Sequence, residues 1–346
     1  MKHLTITILC LTWGITQAGT GTNLRTTSEW IAHIERTAHF VNFDTPLVEQ
    51  TIKFPGYRYF DNEIYFRQQQ RDNLDTYDLY LKQEQQTAEA LKSKSYASGE
   101  TIQLSLVFHF LHTTDLESIE KELTFQMEAL NRDFGQLEVP EKDSRDPDDQ
   151  YRSLAANPNI QFVLADISGG TGIAKVAESV ATWDTFDDMK EVSRGSPPID
   201  PDRYINIWVV KMGDYLSSYT SQPYTDKTLD GIVLEDIYFG HGKAEGYDQG
   251  KTLTHLMANY LGLNDLWGLS RCQDDGVSDT PIHNSPTWGA PGGHHISTCG
   301  PGPRAMTMNF MDNSLDAYLY MFTKGQVERL RYMLSPDGPR YHLTKN

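Results

Sequence analysis

Residues Thr252 to Asp265 run Thr-Leu-Thr-His-Leu-Met-Ala-Asn-Tyr-Leu-Gly-Leu-Asn-Asp. On a helix, His255 and Asn259 stand one turn apart, with Leu256 beside them. Gly262 can adopt the left-handed conformation that ends a helix and turns the chain, which swings Asp265 back toward His255. An imidazole and a carboxylate brought to one point are metal-ligand types. A lone histidine on a partly apolar helix is nevertheless more often a core or surface residue than a ligand, so the rest of the chain must decide. Other chemistries are poorly served. His294-His295 lie in a glycine-rich loop, and adjacent residues of an extended chain point to opposite sides. His109 falls within an apolar strand and reads as a core residue. Neither a Gly-x-Ser-x-Gly elbow nor a Walker loop occurs.

The elements that must position the 252–265 stretch are legible around it. Ile102 to Leu111 alternates around Leu104, Leu106, Phe108 and Phe110 and predicts a strand. Leu116 to Phe134 places Ile119, Leu123, Met127, Leu130 and Phe134 at helical spacing. Ile160–Ala165 and Ile205–Val210 read as short apolar strands, Gly231–Tyr238 as another, and Lys251–Leu261 as a helix. The charged stretch Glu138 to Gln150, with two prolines, predicts a solvated surface loop rather than a calcium site. Before residue 99 the character changes: a helix over Ser28–Phe40, an aromatic cluster of Tyr57, Tyr59, Phe60, Tyr65 and Phe66, a solvated helical stretch from Gln68 to Gln86, and a linker at Ser93–Gly99. The order of elements fits an α/β or α+β layered architecture.

The chain has 346 residues and a formal charge of −17, with 47 acidic against 30 basic side chains. A field of that sign repels phosphate backbones and anionic lipid, which argues against nucleic acid and membrane-surface partners. No apolar run reaches the ~20 residues of a membrane-spanning helix, so the chain is not expected to be an integral membrane protein. Lys2 and His3 precede an apolar stretch, Leu4 to Trp13, and Gln17-Ala18 offers a small-residue cleavage point, as in a secretory signal peptide over residues 1–18. A buried N-terminal strand is the competing reading. A secreted or periplasmic location follows from the first, and in an oxidising compartment Cys272 and Cys299 favour a single disulfide.

Downstream of Asp265, Asp274-Asp275-Gly276-Val277-Ser278-Asp279-Thr280-Pro281 is followed by Cys299, then Met308-Asn309-Phe310-Met311-Asp312-Asn313, then Met321-Phe322-Thr323-Lys324-Gly325-Gln326. With the strands at Leu104–Leu111 and Ile205–Val210, this series resembles the pappalysin family of secreted metzincin metallopeptidases over roughly residues 100–335. The 255–265 stretch follows the backbone plan of the metzincin motif His-Glu-x-x-His-x-x-Gly-x-x-His. His255 and Gly262 match it; Leu256 stands for the glutamate, Asn259 for the second histidine and Asp265 for the third. The resemblance implies an α+β fold. Its metzincin-like domain, residues 99–346, has an upper twisted mixed sheet with two long helices ending at Gly262 and an irregular lower half from 263. A pro-segment-like region, residues 19–98, precedes it. The resemblance also makes Met311 the methionine under the metal position, pairs Cys272 with Cys299, and likens Asp274, Asp275 and Asp279 to a structural calcium region. A capped polar turn explains those three aspartates equally well. The family's pro-segments often carry a zinc-binding cysteine latch, and here no cysteine lies between Cys10 and Cys272.

A catalytic zinc takes about three imidazole or carboxylate ligands and one water, whose proton a glutamate accepts. Leu256 cannot be that base, Asn259 is a poor zinc ligand, and Asn313 replaces the tyrosine usual two residues after the Met-turn methionine. The expectation is therefore a secreted pappalysin homologue without peptidase activity, with zinc disfavoured, calcium as the candidate metal, and the cleft retained to bind a peptide or protein. Two alternatives stand beside it: a zinc-dependent metalloendopeptidase with an unorthodox site built on His255 and Asp265, and a calcium-stabilised structural secreted protein.

Overall fold

The computed structural model describes residues 58–345 apart from short stretches at 73–74, 97–98, 136–138, 144–145, 147–149, 178–181, 184–185, 214–216, 269–271, 292–298 and 300–303 and single positions 59, 61 and 168. These residues belong to one compact unit, Gln50–Asn346. The proposed signal peptide, the helix at Ser28–Phe40, Tyr57, Tyr59, His294 and His295 lie outside the described residues.

Two helices open the described chain, α1 (Asn62–Asp72) and α2 (Thr76–Ser93). Strand β1 (Ile102–Phe110) leads into the long helix α3 (Leu116–Gly135). Then follow β2 (Ala155–Ala156), β3 (Ile160–Leu164), β4 (Ile173–Val176), β5 (Tyr204–Val210), β6 (Tyr219–Thr220) and β7 (Ile232–Glu235). Helix α4 (Lys251–Tyr260), strand β8 (Phe322–Thr323) and helix α5 (Lys324–Met333) complete the regular elements. The main sheet runs β3-β1-β5-β7-β6, with β4 also paired to β1 beyond the end of β3. All pairs in it are parallel except β6–β7, which is antiparallel and puts β6 at the edge. This is a mixed α+β fold of the expected class.

The pattern follows from burial. Strand β5 is buried at every residue and β1 at all but its first two, as parallel strands covered on both faces must be. Helix α3 turns Ile119, Leu123, Leu130 and Phe134 onto the core shared with β1 and β5. Helix α4 is buried along its whole length, so its polar side chains need internal partners. It ends where the sequence requires: Gly262 has φ +90°, and a Cβ there would sit 2.5 Å from Met333 Cε.

Three expectations are corrected. The strand at Gly231–Tyr238 is only Ile232–Glu235, after which Asp236–Tyr238 forms a tight helical turn. The polar stretch from Gln68 to Gln86 is not wholly solvated, because Thr76 and Tyr80 are buried and Glu84 pairs with the buried Arg329 of α5. Phe60, Tyr65 and Phe66 do not form one cluster: Phe60 stacks on His255, Tyr65 packs on Phe186 and Tyr219, and Phe66 meets Tyr80 edge-on. Each ring is drawn to a different apolar surface of the domain.

Candidate functional site

Helix α4 and the turn after it bring His255, Asn259 and Asp265 together, as their spacing predicts. His255 Nε2 lies 2.9 Å from Asp265 Oδ1, and Asn259 Nδ2 donates to the same oxygen at 2.9 Å. The other imidazole nitrogen, Nδ1, is 2.8 Å from the carbonyl of Phe310, just before Met311. That carbonyl can only accept, so Nδ1 carries a hydrogen. Met311 is wholly buried, in the core that also holds Leu256. Leu256 is fully enclosed, as an alkyl chain on this face requires.

The orientation of Asn259 is fixed by groups that have no choice of role. Its Nδ2 also donates to the backbone carbonyl of Leu263 at 3.1 Å. Its Oδ1 accepts from Asn62 Nδ2 at 2.9 Å, and Asn62 Oδ1 accepts from the backbone N–H of Thr220 at 2.9 Å. A backbone donor at one end and a backbone acceptor at the other set the direction of the whole relay. Asn259 therefore offers hydrogens, not a lone pair, toward Asp265. Three lone pairs do not converge here, and a zinc centre requires them. Among the described residues no cluster of three or more His, Cys, Asp or Glu is placed to hold a metal ion.

Sequence reasoning missed what covers these residues. Residues before α1 run through the site: the Phe60 ring stacks on His255 at 4.1 Å and 12°, and Phe60 forms a parallel bridge with Ser218 beside edge strand β6. Arg58 is fully buried. Its Nη1 pairs with Asp316 Oδ1 at 2.9 Å, its Nε donates to Asn313 Oδ1 at 3.0 Å, and Asn313 Nδ2 donates back to the Arg58 carbonyl at 3.0 Å. The guanidinium also donates to Thr252 Oγ1 and the Ser314 carbonyl and lies 4.8 Å from the Tyr247 ring centre. Burial raises the Asp316 carboxyl above its ordinary range, and the Arg58 charge opposes that rise. Asn313, two residues past Met311, thus grips the incoming segment. A basic residue two before an aromatic was the only signal, and its partners lie more than 190 positions away.

The acidic loop divides its carboxylates among separate tasks. Asp274 accepts from the N–H of Gly276, and Asp275 accepts from the N–H of Val277 and from Thr280. Asp279 accepts from Thr323 Oγ1 and the N–H of Gly325 at the start of α5. Burial holds the Asp275 carboxyl up at about 7, against the pull of its Thr280 and Val277 hydrogen bonds. Cys272 and Cys299 are bonded, with Cα atoms 5.7 Å apart. Asp312 is buried, yet its carboxyl is brought down to about 2, with Ser314 Oγ and the N–H of Thr287 donating to it and His283 Nδ1 3.7 Å away. His109 is a core residue, stacked on Trp208 and hydrogen-bonded to Ser196 and Asn206, and burial lowers it to about 4.

Comparison with known proteins places this arrangement. The sequence profile of the peptidase family described as pregnancy-associated plasma protein-A matches residues 195–335. A promirolysin mutant from Tannerella forsythia superposes with a TM-score of 0.68 at 30% identity, covering 83% of this chain and 97% of that one. Mature mirolysin from the same organism, in complex with a cleaved peptide, gives 0.61 at 29% identity over 72% of this chain and 97% of that one. An extracellular metalloprotease of Arthroderma benhamiae is 35% identical over 111 residues, 30% of this chain and 36% of the relative. Extracellular metalloprotease 1 of Coccidioides posadasii is 39% identical over 105 residues, 30% of this chain and 37% of the relative. The match thus spans little more than a third of the length of these curated relatives.

Proposed function

The chain belongs to the pappalysin family of zinc metallopeptidases, and from that premise we propose that it is a secreted member that no longer hydrolyses peptides and uses its cleft for binding. The observation that carries this is the directed amide relay from Thr220 through Asn62 and Asn259 to Leu263 and Asp265. It occupies the lone pairs and hydrogens that a metal centre would have to rearrange. Leu256 supplies no base at the position where hydrolysis needs one, and a positioned base alone accounts for about 10²–10⁴ in rate. The donor set does not fit a catalytic zinc, so no hydrolytic step is derived through one.

Further support comes from the region before α1. The promirolysin superposition covers 83% of this chain against 72% for the mature enzyme with its cleaved peptide. The region 19–98 corresponds best to a pro-segment, and its described part stays in place because Arg58, Phe60 and Asn62 are built into the domain. The extracellular relatives support export, and among the described residues no helix is long and apolar enough to cross a membrane. Asp274, Asp275 and Asp279 are satisfied as turn and cap residues, which favours a binding role over a calcium-stabilised one.

Elemental analysis after chelation and zinc refeeding, paired with a casein digest, tests the proposal. Zinc well below one per chain and no cleavage above the chelator blank are expected. Stoichiometric zinc with chelator-sensitive cleavage would instead establish the unorthodox peptidase built on His255 and Asp265.

A further inference from the structure

Asn62 uses both ends of its amide: Oδ1 takes the N–H of Thr220, and Nδ2 gives a hydrogen to Asn259 Oδ1. Two residues earlier, Phe60 lies flat on His255 while its main chain bridges to Ser218. We infer that the position of the family's second metal ligand has become a carboxamide-recognising subsite. The subsite then takes an asparagine-type side chain presented at the start of a helix, two residues after an aromatic ring. Phe60 and Asn62 of the chain itself are the resident occupants. This inference rests on the proposal that the cleft binds rather than hydrolyses.

The chemistry of discrimination follows from the relay. A carboxylate in place of the Asn62 amide would set an oxygen against Asn259 Oδ1 with no hydrogen between them. Turning Asn259 to offer its NH2 would withdraw both donors from Leu263 and Asp265. An apolar side chain would leave the Thr220 N–H and Asn259 Oδ1 buried without partners, and each buried orphan weakens binding by about tenfold or more. A site that supplies one donor and one acceptor, both fixed, selects an amide over an acid or a hydrocarbon of the same shape.

The test uses the full-length chain carrying Arg58→Ala, Phe60→Ala and Asn62→Ala, which removes the side chains that seat the resident segment, and a fluorescein-labelled decapeptide of residues 57–66 read by anisotropy. The variant should bind this peptide, and versions with Asp or Leu in place of Asn62 should bind at least tenfold more weakly. The unsubstituted protein, filled in cis, should bind the parent peptide at least tenfold more weakly than the variant does. Adding Asn259→Leu to the variant should erase the preference for the amide. Equal affinity for the three peptides, or no binding of the parent peptide by the folded variant, would overturn the subsite. If this variant does not fold, Asn62→Leu and Asn259→Leu, singly and together, give the same answer from unfolding equilibria. A coupling of at least tenfold between them supports the subsite and strict additivity overturns it. Casein cleavage dependent on zinc would sink the binding proposal itself, whereas equal peptide affinities without cleavage would remove only the amide subsite.

Discussion

Replacing Arg58 with methionine is the most direct perturbation of the seated segment. The guanidinium and the Asp316 carboxylate are both fully buried and 2.9 Å apart. Without it, Asp316 keeps only the N–H groups of Gln249 and Lys251, at 3.0 and 3.3 Å, as hydrogen-bond donors, with the Lys251 charge nearby. Breaking a buried pair on one side typically costs ~3–5 kcal/mol, and the two surviving donors place this case near ~3 kcal/mol. The sign with pH follows from Asp316, whose folded carboxyl already titrates above its unfolded value and rises further once Arg58 is gone. A group with a raised folded pKa adds stability below its unfolded pKa and loses it as pH rises. The deficit of Arg58→Met should therefore be largest at pH 7.5 and shrink toward pH 4. Adding Asp316→Asn should recover part of it. Urea unfolding followed by tryptophan fluorescence at both pH values reads all of this. A loss under ~1 kcal/mol at pH 7.5, with no coupling to Asp316→Asn, would refute the seating of this segment.

Two buried groups oppose each other in acid. His109, lowered to about 4, loses stability as pH falls from its unfolded 6.5 toward 4, by ~3 kcal/mol, while Asp275, raised to about 7, gains a similar amount between 7 and its unfolded 3.8. His109→Gln should leave a chain that gains stability between pH 7 and 4, Asp275→Asn one that loses it, and parallel pH curves for the two would contradict both assignments. Gly262→Ala should destabilise by more than ~1 kcal/mol, because φ is +90° and the new methyl meets Met333 Cε at 2.5 Å; calorimetry checks it. The fourfold variant Leu256→Glu, Asn259→His, Asp265→His and Asn313→Tyr should gain zinc by elemental analysis. It should cleave nothing while Phe60 covers His255, and a folded variant no better at binding zinc than its parent would mean that α4 does not follow the metal-site plan.

How much of this was legible depended on the range of the interactions. The 252–265 stretch was readable because its determinants are local: helical spacing, a glycine at positive φ and an aspartate three residues beyond. Strand β1 and helix α3 were readable because each carries several periods of apolar residues. Strands β4 and β6 were not, since four and two residues cannot display an alternation. The alkyl side chain of Leu256 was plain in the sequence, but the partner of Asn259 was hidden because it lies 197 positions earlier. The same holds for Asn313, whose replacement of tyrosine was visible and whose grip on Arg58 was not.

The side chains of α4 and the residues before α1 answer one physical need. A helix buried along its length cannot leave polar side chains unpaired, so an imidazole and an amide without a metal must find other partners. Asp265 satisfies one end of that need and Asn62 the other. Removing the segment would strip Asp316 of its cation, Asn313 and Asn259 of their acceptor or donor, and the Thr220 N–H of its partner. Each orphan costs on the order of 1–3 kcal/mol unless water enters, and together they approach the ~5–15 kcal/mol by which a typical protein is folded at all. A pro-segment bound by one metal–thiolate bond can be released by breaking that bond. A segment held by distributed hydrogen bonds and a buried ion pair has no single bond to break, so any other occupant of the cleft must displace it contact by contact.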